Sequence, residues 1–134
     1  MLRRSAALLL VSVAMLSIAA SASARTLVER DVEGYAIATC LTLQPQLALK
    51  AQGDGWASII VNRGHGNIEH WSPLIAAVEA DAKRRRMYAN KAEKVAEGSH
   101  PMPIAYCAEI VDVPAVRAAI ARTVARMKPA YRGR

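Results

Sequence analysis

The sequence predicts an all-α fold: a small bundle of four to five short helices with one disulfide. Three observations carry this expectation. Alanine is abundant, and β-branched runs are scarce outside Ser58 to Val61. Apolar residues recur in several stretches with a spacing near 3.6. Two cysteines, Cys40 and Cys107, stand far apart, and an even count in a small exported domain favours a bridge.

Residues 1–24 read as a secretory signal peptide. Arg3 and Arg4 form the positive n-region, Ala6 to Ala20 is an apolar run broken by Ser12 and Ser17, and Ala22-Ser23-Ala24 is a small-x-small cleavage site. The run falls short of the ~20 apolar residues that a spanning helix wants. An uncleaved N-terminal anchor is the competing interpretation. A mature chain starting near Arg25 is a single domain of 110 residues over 25–134, enough for one modest core that gains from a covalent staple.

The first mature helix is expected from about Val32 to Leu43, with Asp31 as its cap and Pro45 beyond its end. Its stripe is Val32, Tyr35 or Ala36, Thr39 or Cys40, and Leu43, which puts Cys40 toward the core. A further turn over Leu47 to Ala51 is expected to break at Gly53-Asp54-Gly55. Trp56 to Arg63 then reads as a short helix capped by Asp54 and stopped by Gly64, with a strand as the alternative because Ile59-Ile60-Val61 is β-branched. Arg63 to Asn67 reads as a tight polar loop.

Ser72 as cap and Pro73 at the first helical position open the strongest helix signal, running to about Tyr88 along Leu74, Ile75, Val78 and Ala82. Lys83 to Arg86 end it in keeping with the helix dipole; an anion-binding patch is the sharper alternative. Ala89 to Pro103 resists assignment, apart from a turn or two of helix over Lys91 to Glu97, because Gly98, Pro101 and Pro103 interrupt it. Ile104 to Val111 is a short helix carrying Cys107 inward. Asp112 and Pro114 restart a last helix to Met127, striped by Val116, Ile120, Val124 and Met127, and Pro129 ends it. The expected core is Val32, Leu43, Leu74, Ile75, Val78, Val116, Ile120 and Val124.

Without Arg3 and Arg4, 16 Lys/Arg face 11 Asp/Glu, a formal +5. The excess lies late: Arg117, Arg122, Arg126, Lys128, Arg132 and Arg134 follow Asp112 with no acid between them. Such a segment suits an anionic membrane surface or an acidic protein, but the favoured reading is a solvated helix face running into a frayed tail. Export argues against nucleic acid.

No enzyme chemistry is legible. There is no glycine-rich phosphate loop, HExxH, CxxCH or EF-hand loop, so no cofactor and no metal are expected. His65 and His70 are five apart with Gly66 between, which does not stack two ligands on one helix face. A cysteine nucleophile paired with His65, His70 or His100 would need a free thiol in an oxidising compartment.

Three motifs in order carry a family resemblance: Tyr35-Ala36-Ile37-Ala38-Thr39-Cys40-Leu41, Trp71-Ser72-Pro73-Leu74-Ile75 and Tyr106-Cys107-Ala108-Glu109-Ile110. With the leader, their order and spacing resemble the periplasmic immunity proteins of type VI secretion that neutralise peptidoglycan amidase effectors of the fourth family. The more basic final helix and the Arg63-Gly64-His65-Gly66 loop depart from that family. The resemblance implies a periplasmic, all-helical domain, often a homodimer, that plugs the cleft of a cysteine–histidine amidase with a protruding segment and performs no catalysis. Two segments qualify for that role. Arg63 to Trp71 offers His65 and the aromatic Trp71. Ala89 to Pro103 is longer and has the reach, with Glu97, Ser99, His100 and Met102 near its tip. The longer one is favoured; an ordinary connector is the plainer alternative for both. A membrane-associated protein acting through the last helix is the other functional class, and it would expose the apolar stripe of that helix.

Overall fold

The structure, a computed structural model, describes residues 24–64, 67–90 and 100–132. Among them are five α-helices: α1 (Leu27–Thr42), α2 (Leu47–Gly64), α3 (Ser72–Ala82), α4 (Pro103–Ala108) and α5 (Pro114–Met127). Single 3-10 turns precede α3, follow α4 and follow α5. Two strands of two residues each, β1 (Ala89–Asn90) and β2 (His100–Pro101), pair antiparallel and leave the fold class all-α.

The first helix begins five residues before the expected Val32. Thr26 caps it: its side chain accepts from the Glu29 N–H, and the Glu29 carboxylate accepts from the Thr26 N–H at 2.7 Å. That reciprocal box satisfies two N-terminal donors, which a lone Asp31 cap would not. The Thr26 N–H and hydroxyl both donate to the Glu29 carboxylate and hold it below its ordinary pKa. Asp31 is therefore buried inside α1. Its Oδ2 accepts from Arg63 Nε at 3.0 Å and from the Tyr131 hydroxyl at 2.8 Å, tying α1 to α2 and to the turn after α5.

No break occurs at Gly53-Asp54-Gly55; α2 runs through it as one helix of 18 residues. The glycine is there for packing, not for a turn. A Cβ on Gly53 would lie 2.6 Å from the Ala38 carbonyl oxygen and 2.9 Å from the Thr42 N–H nitrogen, backbone atoms of α1 that have nowhere to go. At Gly55 a Cβ would meet nothing within 4 Å. The two glycines thus make a matched test by chemical denaturation. Gly53→Ala is expected to lose about 1–3 kcal/mol by overpacking. Gly55→Ala is expected to gain up to ~1 kcal/mol from helix propensity.

The third helix stops at Ala82, short of the expected Tyr88, and Arg85 lies just beyond its end. Its Nε donates to Asp81 Oδ2 at 2.9 Å and its Nη2 to the Tyr106 carbonyl at 2.9 Å, drawing the chain toward α4. Ser72 is the first helical residue, not the cap, while Pro73 sits in the first turn as expected. The expected Ile104–Val111 helix is α4 followed by a 3-10 turn, Glu109–Asp112. Helix α5 matches its expected limits.

The core gathers Val32, Leu74, Val78, Val116, Ile120 and Val124 with Trp71, Ile60, Ile110 and Met127. Two expected members differ. Ile75 is half-buried against the core, and Leu43 is exposed, because α1 ends at Thr42 and Leu43 is its C-cap. Cys40 and Cys107 are joined, with Cα atoms 5.5 Å apart, fastening α1 to α4.

Candidate functional site

The described residues on either side of the favoured binding segment form a paired base. Ala89 pairs with Pro101 and Asn90 with His100, so the chain leaves and returns at one place. The Met102 N–H adds a hydrogen bond to the Tyr88 carbonyl at 2.9 Å.

This neck is clamped to the helices behind it. The Arg85 guanidinium lies 3.9 Å over the Tyr106 ring, a cation–π contact, and the Tyr106 hydroxyl donates to the Arg85 carbonyl at 3.3 Å. Tyr88 meets Tyr106 edge-on at 6.3 Å. The Tyr88 hydroxyl donates to Glu109 Oε2 at 2.5 Å, a bond that raises its pKa above the ordinary phenol value. Below, the disulfide pins α4, and Gln44 Nε2 donates to the Cys40 carbonyl at 2.9 Å while approaching Cys107 Sγ at 3.5 Å.

The expected site residues separate on this frame. Glu97, Ser99 and His65 lie outside the described residues. His100 is a residue of β2, and Met102, just beyond it, is exposed. Trp71 is not a surface residue. It is fully buried, its ring centroid 4.4 Å from that of Tyr35, with its indole N–H unpartnered among the described residues. An aromatic after a polar loop reads as exposed; here the 3-10 turn Ile68–Trp71 rotates it inward.

Apart from Met102, residues that the sequence did not single out surround the neck. Leu49, Pro101, Met102, Pro103, Ile104 and Ala105 line an apolar groove of about 200 Å³. Leu43, Leu47 and Ile104 are exposed. Leu43 keeps the α1 spacing, but Leu47 and Ile104 fall on no expected stripe, so periodicity gave no signal for them.

On α5 the stripe Val116, Ile120, Val124 and Met127 is buried, and Arg122 and Arg126 face solvent. Arg117 is paired with Asp112. Among the described residues no group of three or more His, Cys, Asp or Glu converges on a metal position, and no helix is long and apolar enough to cross a membrane. No family model matches this chain, and neither a curated protein nor a solved structure shows detectable similarity to it.

Proposed function

We propose that this chain is a periplasmic immunity protein that binds a type VI secretion peptidoglycan amidase and occludes its cleft without catalysis. The observation that carries the reading is the paired neck. Two short strands and the Met102–Tyr88 hydrogen bond bring both ends of segment 91–99 together on a clamped base. Inhibition by occlusion needs a rigid support and an element that excludes substrate, and holding the ends close lowers the ordering cost on binding. The bridge between Cys40 and Cys107 supports export through the leader of residues 1–24, because such bonds persist in oxidising compartments. Burial of the α5 stripe weighs against the competing membrane reading, leaving that helix only its charges for a lipid surface.

The test keeps the neck and removes what it carries. Replacing residues 91–99 with Asn-Gly joins Asn90 to His100 through a two-residue hairpin turn that suits their register. The variant is expected to bind a fourth-family amidase roughly a hundredfold more weakly or worse, with its thermal midpoint little changed. Undiminished inhibition by this variant would overturn the reading.

A further inference from the structure

We propose that the cleft where α1, α2 and the Ile68–Trp71 turn meet binds a small organic amine, its ammonium on Asp54 and its apolar chain against Ala57, Val61 and Ile68. Such a site is separate from the occlusion reading and needs no amidase. The cleft has a volume of about 460 Å³, within the ~300–1,000 Å³ usual for small-ligand sites. Its lining comes from all three elements: Tyr35 of α1, Ile68 of the turn, and a double row on α2. Asp54, Ser58 and Asn62 recur every four residues and make an open polar rim about 12 Å long. Ala57 and Val61 run beside them as an apolar row. Apolar walls with a few polar groups to fix orientation are the usual make-up of a ligand site.

The polar groups here have nothing in the protein to bind. Tyr35 is only 8% exposed, yet its hydroxyl has no hydrogen-bond partner among the described residues. Asp31 and Thr39, four residues to either side on the same helix, are both satisfied, by Arg63 and by the Tyr35 carbonyl. A hydroxyl so deeply set is normally hydrogen-bonded, and this one belongs to the wall of a cleft. Asp54 is the second such group. It lies inside α2, where aspartate is a poor helix former, and among the described residues it neither caps a helix nor pairs with a cation. It is also the one charged residue lining the cleft, so the charge it selects is positive. Ser58, Asn62 and Tyr35 add neutral donors and acceptors, which suit a neutral polar group at the far end of the amine.

The probe is ε-aminocaproamide, an ammonium and a neutral amide joined by an apolar chain. Caproamide, which lacks the ammonium, and adipamate, which carries a carboxylate instead, are the controls. Calorimetry on the oxidised full domain is expected to show saturable binding of the amine and binding about fivefold weaker or worse for both controls. Asp54→Asn and Tyr35→Phe are each expected to weaken the amine about fivefold. Neither should lower the thermal midpoint, because neither group holds a partner in the protein. Ser58→Trp, which fills the cleft from an exposed position, is expected to abolish binding. No saturable binding of the amine, or equal binding of caproamide, would overturn the proposal. So would undiminished binding by Asp54→Asn and Tyr35→Phe, which would put the amine elsewhere. The occlusion reading is untouched by any of these results.

Discussion

Replacing Cys40 and Cys107 with serine is expected to lower the unfolding free energy by about 4 kcal/mol. The bridge closes a loop across a sequence separation of 67. The chain-entropy relation assigns ~4 kcal/mol to a loop of that length, which is most of the net stability expected of so small a domain. The structure adds a local reason. Helix α4 has six residues, too few to persist alone, and both sulfurs are fully buried beside the Gln44 amide. Two serine hydroxyls there would need partners that the apolar surroundings supply only through Gln44. Urea denaturation of the oxidised protein and the double variant measures the difference. A loss under ~1 kcal/mol would mean that packing, not the covalent link, holds α4. Intact mass after alkylation with and without reductant checks the bridge itself.

Trp71→Ala is expected to cost about 3–5 kcal/mol, the range for removing a buried large aromatic. Trp71 is among the largest fully buried side chains, stacked on Tyr35 where α3 begins. Trp71→Phe is expected to cost much less. It keeps a ring in the site and removes an indole N–H that has no partner among the described residues. Thermal unfolding followed by circular dichroism separates the two. An unchanged melting curve for Trp71→Ala would overturn its place in the core, and the expected result is loss of fold, rescued by Trp71→Phe.

Where a single residue's covalent geometry decides, the sequence was readable. Pro73 and Pro114 lie in first helical turns. Misreadings arose where a distant segment decides. Gly53 looks like a helix breaker until α1 is placed beside it, where a Cβ would come within 3 Å of the α1 backbone. Asp31 has the composition of a cap, yet its acceptors serve Arg63 and Tyr131. Leu43 keeps the α1 spacing but falls one residue beyond the helix. The length of Ala89–Pro103 suggested a binding segment, but β1 and β2 are too short for a period-two pattern to register. Leu49 and Ile104, which line the groove beside the neck, fall on no expected stripe.

The hydrogen bond between Tyr131 and Asp31 spans 100 residues of sequence. Closing so long a stretch of chain is entropically slow, so α1 can pack on α2 well before this contact is made. A core that needs a partner so far along the sequence forms through distant contacts and as a whole-chain event. What looked from composition like a loose basic tail is the closing piece, and shortening the chain before Tyr131 acts on the interior.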